Sequence, residues 1–154
     1  MRLLFVCTGN ICRSPTAEAV VRRMAADAGM ADALVLDSAG TGDWHLGEPP
    51  DPRAVTAAKT RGYQLDGIRA RLVRPRDFED FDRVLAMTGG HLADLERMAP
   101  RGHAGKASLM LDHAPAANRR DVPDPYYGDA HGFETMLDLI EDSARGLLAD
   151  IRQR

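Results

Sequence analysis

The chain has 154 residues and a net charge of −3, which gives no electrostatic reason to expect binding to nucleic acid or to an anionic membrane. The length suits one folded unit, so we expect residues 1–154 to form a single domain. No apolar run is long enough to span a membrane and no signal peptide is recognisable, so we expect a cytoplasmic location.

The first predicted element is a short buried strand over residues 2–6, an apolar run that is too short for a helix and is followed by a Gly-Asn turn pair. Ser14 is a suitable helix cap and Pro15 suits the first helical position. Apolar residues then recur at helical spacing, so we expect a helix from Pro15 that ends near Gly29. The residues from Cys7 onwards therefore form a tight loop at a helix N-terminus.

Such a loop directs several backbone N–H groups and the positive end of a helix dipole at one point, which predicts an anion site. Arg13 adds a planar fork that can bind two phosphate oxygens. The same positive field favours the thiolate form of Cys7, a nucleophile suited to phosphorus. A buried core cysteine and a surface arginine are the alternative, which the strand before and the helix after the loop disfavour. The other loop residues expected to contact the anion are Thr8, Gly9, Asn10, Ile11, Cys12 and Ser14.

Beyond this loop, residues 33–36 are predicted to form a second strand that ends at residues 37–41, where an ordinary strand-end turn is the alternative. A Gly- and Pro-rich loop then carries Trp44, the only tryptophan. Asp51 is expected to cap a helix that runs to Gly62. A short helix can open at residues 75–78, and the arginines before it are expected to form a solvated basic face. Those arginines are Arg69, Arg71, Arg74 and Arg76.

The second half continues the alternation of strands and helices. Strands are predicted at residues 81–87 and 107–111, with a turn at 88–90 and a helix over 91–98 between them. A long final helix should cover one face of the sheet with its apolar stripe. The stripe comprises Phe133, Met136, Leu137, Ile140, Leu147, Leu148 and Ile151. The expected fold is α/β: a small four-stranded parallel sheet with helices on both faces and the phosphate-binding loop after the first strand.

Asp124 is the candidate proton donor for a leaving group, because prolines on both sides stiffen its backbone. A turn aspartate is the alternative. Tyr126 and Tyr127 follow it, and together with Trp44 they could form an aromatic slot that favours phosphotyrosine over the shorter phosphoserine. We expect no metal or other cofactor, since no cluster of His, Asp or Cys has ligand spacing.

Residues 7–15, together with residues 37–41 and 124–128, resemble the low-molecular-weight protein tyrosine phosphatase family over nearly the whole chain. The resemblance implies hydrolysis of phosphotyrosine through a cysteinyl-phosphate, with Cys7 as nucleophile, Arg13 binding phosphate and Asp124 as general acid and base. It also implies that Ser38 hydrogen-bonds Asn10 and that Trp44 forms a wall of the substrate cleft.

The resemblance further implies that Cys12 protects an oxidised Cys7 through a reversible disulfide, although simple packing under the loop is the alternative. Ser14 would donate a hydrogen bond to the sulfur of Cys7. The expected partner is a phosphotyrosine protein, for which a bacterial tyrosine kinase is one candidate, and the enzyme is expected to be a monomer or weak dimer. Thr88 and Arg69 depart from the family pattern, which usually has Asp and often has His at these positions.

Three other functions stay open from the sequence. A protein arginine phosphatase tends to carry Thr at the position of Ile11, so the apolar side chain here favours tyrosine. An arsenate reductase of the same fold needs further cysteines after Cys12, and the chain has only two cysteines. A noncatalytic phosphate-binding module would lack the nucleophile or the acid, and both candidates are present.

Overall fold

The computed structural model describes residues 1–154 and contains one sheet of four parallel strands in the order β2-β1-β3-β4. The strands are β1 (Arg2–Cys7), β2 (Val35–Gly40), β3 (Arg83–Ala86) and β4 (Ala107–Leu109). The first strand is therefore interior to the sheet and is hydrogen-bonded on both sides. This arrangement confirms the predicted four-stranded parallel sheet.

Five α-helices cover the sheet. They are α1 (Arg13–Asp27), α2 (Pro52–Thr60), α3 (Asp77–Asp80), α4 (Gly89–Met98) and α5 (Ala130–Arg152). Short 3-10 turns lie at Ala31–Ala33, Ala104–Lys106, Met110–His113, Pro115–Ala117 and Pro125–Tyr127. None of the helices has the length and apolar character required to cross a membrane.

The alternation of side chains along β1 divides the core into two parts. Leu3 and Phe5 pack into a larger cluster with the apolar faces of α1, α2 and α5. Leu4 and Val6 point to the other face, where they pack with Phe78 of α3 and Leu95 of α4. Because both faces are covered, β1 is an uninterrupted apolar run rather than an alternating one. Helices on both faces of the sheet were predicted and are confirmed.

The start of α1 differs from the prediction. The helix begins at Arg13 with Cys12 at the cap position, and no side chain caps it. Ser14 is not a cap, because its hydroxyl is hydrogen-bonded within the preceding loop. Pro15 is then the third helical residue. The N–H groups at the start of a helix have no acceptor within the helix, so the N–H that proline lacks costs no hydrogen bond here.

Three strands differ from their predicted bounds, and the third strand, predicted over residues 81–87, covers only Arg83–Ala86. The second strand runs over Val35–Gly40, so residues 37–40 are strand rather than turn, and residues 31–33 form a 3-10 turn before it. The fourth strand ends at Leu109, after which Met110–His113 turn away. In the same way α4 begins at Gly89 instead of residue 91, because the Thr88 hydroxyl accepts the His91 N–H and caps the helix.

The predicted basic face is correct only for its exposed members. Arg71 is half-buried, and its guanidinium pairs with Asp37 at 3.1 Å and with Asp77 at 3.1 Å. Its segment also extends the sheet edge, since Gly40 donates its N–H to the Arg71 carbonyl and accepts that of Val73. Arg71 therefore joins β2 to α3. The cluster of arginines in the sequence does not reveal this role, because Asp37 lies 34 positions away in the chain.

Candidate active site

The loop after β1 turns around Asn10, which has a φ of 58° in the left-handed region. Its buried side chain holds this conformation through three hydrogen bonds. The amide nitrogen donates to Ser14 Oγ at 2.8 Å and to Ser38 Oγ at 3.1 Å, while the amide oxygen accepts the Arg71 backbone N–H at 2.9 Å. The loop is thus fixed to α1, to β2 and to the edge segment after α2.

Cys7 ends β1 at the base of this loop and is buried, with its sulfur 3.0 Å from Ser14 Oγ. The Ser14 oxygen accepts from the Asn10 amide, so its own proton is the one that can donate, either to the Cys7 sulfur at 3.0 Å or to the Ala39 carbonyl at 3.4 Å. A donor directed at sulfur favours its ionised form. Ser14 is therefore well placed to support a Cys7 thiolate.

Glu18 extends this network beneath the loop, and the sequence reasoning missed it. Ser38 donates to Glu18 Oε1 at 2.8 Å, and Arg22 pairs with the other carboxylate oxygen. Glu18 is buried although its side chain is a carboxylic acid. A buried carboxylate requires hydrogen-bonding partners, and Glu18 accepts a hydrogen bond from the Ser38 hydroxyl. The Ser38 oxygen is then left to accept the hydrogen bond from the Asn10 amide. Its spacing of four residues from Ser14, one helical turn, was the available signal.

Arg13 is buried at the first position of α1, where its guanidinium reaches across the cavity. One terminal nitrogen donates to the Val122 carbonyl at 3.0 Å. The other lies 3.4 Å from Thr8 Oγ1 and 3.5 Å from Asp124 Oδ2. The arginine thus has a fixed orientation, and it brings the candidate acid and the candidate nucleophile loop into one site although 117 positions separate residues 7 and 124.

Asp124 lies at the start of the Pro125–Tyr127 turn, where its Oδ1 accepts the Tyr126 N–H at 3.0 Å. This bond orients the carboxyl group and leaves Oδ2 facing the cavity side of Arg13. The side chain is 39 % exposed, so it is open to solvent and to a leaving group. The preceding segment is held to the sheet end, because Val122 donates its N–H to the Met87 carbonyl at 2.8 Å.

A cavity of about 410 Å³ opens above the loop. Most of the predicted site residues contribute to its lining, which comprises Cys7, Thr8, Gly9, Ile11, Cys12, Arg13, Trp44, His45, Asp124, Tyr126 and Tyr127. Of the predicted contact residues, Asn10 and Ser14 are absent from this lining because their side chains are buried in the loop network. His45 belongs to the cavity and was not predicted.

The aromatic residues form the rim of the cavity rather than its depth. Trp44 is 71 % exposed and Tyr127 is 88 % exposed, whereas Tyr126 is 37 % exposed. Tyr126 is held from behind by Arg53, whose guanidinium lies 5.2 Å from the Tyr126 ring centroid and 5.1 Å from that of Phe133. The cavity therefore has one partly exposed aromatic wall that packs on Arg53 and two solvent-exposed aromatic edges.

The two loop cysteines have different environments. Burial and the nearby Asp51 carboxylate raise the pKa of the Cys12 thiol to about 12, so it stays protonated at neutral pH. Cys7 has instead the Ser14 hydroxyl beside its sulfur. Both are free cysteines in the structure. Of the two, Cys7 is the one whose surroundings suit a nucleophile.

His91 is a third residue that the sequence reasoning missed, after Glu18 and His45. It is buried in the first turn of α4, and its Nε2 lies 2.7 Å from Thr8 Oγ1. Burial and, to a smaller extent, the Arg13 guanidinium lower the pKa of His91 to about 4, so its ring is neutral at neutral pH. The carboxyl ends of parallel strands meet at one edge of the sheet, where ligands bind in this class of fold. The only sequence signal for His91 was its place just after the end of the third strand, behind a Gly-Gly pair.

The sequence model of the family described as low molecular weight phosphotyrosine protein phosphatase matches residues 2–154. The chain belongs to this family. A Streptomyces coelicolor protein named low molecular weight protein-tyrosine-phosphatase is 47% identical over 156 residues, which cover 99% of this chain and 94% of that one. The family and the enzyme class predicted from the sequence are thereby confirmed.

Two solved structures of the family have the same fold. The protein tyrosine phosphatase of Entamoeba histolytica, with Hepes in the active site, superposes with a TM-score of 0.96 at 38% identity and covers 99% of this chain and 97% of that one. A Drosophila protein described as an arginine phosphatase superposes with a TM-score of 0.91 at 30% identity, covering 98% of each chain. The parallel sheet and its helices are therefore the architecture of the phosphatase family.

Proposed function

We propose that residues 1–154 act as a single phosphatase domain that hydrolyses phosphotyrosine in proteins, with Cys7 as nucleophile. One observation carries the proposal: a buried cysteine at a strand end shares a cavity with a fixed arginine and an aspartate, and those two lie 3.5 Å apart. The nucleophile, the group that binds phosphate and the acid are thus assembled around one space large enough for an aryl phosphate.

In the first step the Cys7 thiolate attacks phosphorus, a sulfur–phosphorus bond forms and the bond to the phenolic oxygen breaks. Arg13 and the loop N–H groups hold the other phosphoryl oxygens, where negative charge is concentrated. Asp124 enters this step protonated, because the bound dianion disfavours another negative charge beside it. It gives its proton to the leaving oxygen from Oδ2, the oxygen nearer Arg13.

In the second step a water molecule attacks phosphorus and gives its proton to the Asp124 carboxylate. The sulfur–phosphorus bond breaks, inorganic phosphate forms, and the thiolate returns. Ser14, 3.0 Å from the sulfur, donates a hydrogen bond that stabilises the departing thiolate. Asn10 and Ser38 support this step by fixing the Ser14 oxygen and the turn of the loop.

Substrate selection is assigned to the rim. A phosphotyrosine ring can pack on Tyr126 and order Trp44 and Tyr127, while its length lets phosphorus reach the loop. Ile11 lines the cavity with an apolar side chain that offers no hydroxyl to a phosphoarginine guanidinium. Tyrosine is therefore favoured over arginine.

The partner that this chemistry requires is a phosphotyrosine protein in the cytoplasm, for which a bacterial tyrosine kinase is one candidate. Cys12 is assigned the protective role, in which it forms a reversible disulfide with an oxidised Cys7. We expect the enzyme to act as a monomer or weak dimer.

The decisive experiment measures phosphate release from phosphotyrosine, phosphoserine and phosphoarginine peptides of matched sequence in EDTA. Cys7→Ser is assayed beside the parent protein, with Cys12→Ser as the matched control. Turnover of the phosphotyrosine peptide that is lost in Cys7→Ser and kept in Cys12→Ser is the expected result. Preference for phosphoarginine would retain the nucleophile and reject the tyrosine assignment, and binding of phosphate without any turnover would indicate a noncatalytic module.

A further inference from the structure

His91 makes one side-chain hydrogen bond within the protein. Its Nε2 lies 2.7 Å from Thr8 Oγ1, while its buried Nδ1 has no hydrogen-bond partner. The residue is 6% exposed, so solvent contributes little. A histidine in this position has no role in the two-step mechanism above. The only polar link of its side chain leads to Thr8, the first loop residue after Cys7.

The proton position on this ring follows from the partners available. A buried N–H group without an acceptor is rarer in proteins than an acceptor without a donor. A proton on Nδ1 would create such an N–H group, whereas a proton on Nε2 leaves only an unfilled acceptor at Nδ1. The neutral ring therefore carries its proton on Nε2 and donates to Thr8.

The Thr8 hydroxyl then has both of its acceptor sites occupied. It accepts from His91 Nε2 at 2.7 Å and from Arg13 Nη2 at 3.4 Å. A hydroxyl has two acceptor sites and one proton, so the remaining proton must point away from both donors. Thr8 also lines the cavity above Cys7, where a phosphoryl group would be bound.

We propose that His91 is a positioning residue, which donates to Thr8 and so directs the Thr8 hydroxyl proton at a phosphoryl oxygen of the substrate. This role rests on the phosphatase function proposed above and deepens its account of phosphate recognition. It makes Thr8 a side-chain donor that acts beside the Arg13 guanidinium. Because His91 is neutral, it sets the direction of the Thr8 proton without adding charge near Arg13.

The test compares two amide variants that differ in reach. The side-chain amide of His91→Gln extends about as far as Nε2 and can donate to Thr8, whereas that of His91→Asn ends near Nδ1 and cannot. Binding of inorganic phosphate is measured by the fluorescence of Trp44, the only tryptophan and part of the cavity lining. The kcat and KM for a phosphotyrosine peptide are measured beside it, so that a protein that binds phosphate without turnover is recognised separately.

We expect His91→Asn and Thr8→Val each to weaken phosphate binding about tenfold, the loss of one hydrogen bond to a charged group. The double variant should bind phosphate no more weakly than Thr8→Val, because both substitutions remove the same hydrogen bond to phosphate. The phosphate affinity of His91→Gln should stay within about twofold of the parent, because this variant keeps the hydrogen bond to Thr8. Independent losses that multiply to about a hundredfold, or equal losses in the Gln and Asn variants, would overturn the proposal. In the parent protein, long-range proton–nitrogen NMR should find the His91 proton on Nε2, and a proton on Nδ1 would overturn the proposal without any variant.

Discussion

Asn10 shows how much of this site depends on a single side chain. Its left-handed backbone and its three hydrogen bonds join the loop to Ser14, Ser38 and the Arg71 segment. Aspartate could adopt the same backbone but has no amide N–H to give to the two serine hydroxyls. Asparagine is therefore required at position 10 for two reasons. Its backbone adopts the left-handed turn, and its amide N–H groups donate to the Ser14 and Ser38 hydroxyl oxygens.

Replacing Asp124 by asparagine should lower kcat for a phosphotyrosine peptide by about 10²- to 10⁴-fold, because the leaving oxygen loses its proton donor. The loss should be much smaller for an aryl phosphate whose leaving phenol is strongly acidic, since that phenolate needs no proton. Asp43→Asn, an exposed acid on the loop before Trp44, is the matched control. Equal losses for both leaving groups would show that Asp124 does not act as the acid.

His91 should make the folded protein less stable in mild acid. Its pKa is about 4 in the fold, against 6.5 as the ordinary value, so between these values the unfolded chain binds a proton that the folded chain does not. The free energy of unfolding should therefore fall as pH drops from 6.5 toward 4. Between pH 7 and pH 5 this residue should account for about 2 kcal/mol.

Urea unfolding at these two pH values measures the effect. The side chain of His91→Gln cannot titrate. Between pH 7 and pH 5 the free energy of unfolding of this variant should therefore fall by about 2 kcal/mol less than that of the parent. His113, whose pKa is also lowered by burial, is present in both proteins and cancels in the difference. Parallel losses in the two proteins would remove His91 as the source.

At the scale of elements, the loop depends on how closely β2 approaches it. A Cβ added at Gly40 would lie 2.5 Å from the Thr8 carbonyl oxygen, a backbone atom that cannot move without the loop. Gly40→Ala should therefore destabilise the protein by about 1–3 kcal/mol and reduce phosphate binding as Thr8 is displaced. Gly105→Ala, where an added Cβ meets nothing within 4 Å, is the control for thermal unfolding and phosphate titration. A Gly40→Ala protein with parent affinity for phosphate would show that the loop adjusts independently of β2.

The elements that sequence reasoning found are those with strong local signals. The apolar run of β1, the Asp51 cap of α2 and the stripe of α5 are local patterns, and each lies where predicted. The start of α1 was misplaced because Ser14 has a local preference for capping, while tertiary contacts use its hydroxyl in the loop. The sequence does not decide between strand and turn at the end of β2, because Ser and Gly are common in turns, although here both are strand residues.

The candidate site divides in the same way. Cys7, Arg13 and Asp124 were predicted from their local setting, which is a strand end, a helix start and a pair of flanking prolines, and the cavity brings them together. Glu18 and His91 act through partners far away in the chain, Ser38 and Thr8, so the local sequence around each does not reveal its role. Long-range pairs of this kind need the topology of the sheet before they can be recognised.

For the whole molecule, the site and the fold are linked through phosphate. Because the anion site exists only when the loop, α1 and the Asp124 segment are assembled, phosphate should bind the folded protein and raise its melting temperature. At a phosphate concentration of 100 times the dissociation constant the added stability should be about 2.7 kcal/mol. Calorimetry in phosphate against potassium chloride of equal ionic strength measures it. Arg13→Ala should abolish the phosphate-dependent shift, and a shift that persists in this variant would place the anion elsewhere.

The order of the strands has a consequence for synthesis on the ribosome. β1 precedes every other element in the chain but occupies an interior position in the sheet, between β2 and the much later β3. The helix that covers α1 on this face, α5, comes last of all. The Cys7 thiol is therefore translated long before the neighbours that bury it and the arginine contacts that complete its cavity. Until these elements are in place the thiol lacks its burial in the folded protein, so we expect it to be more exposed to oxidants in the nascent chain than in the finished enzyme.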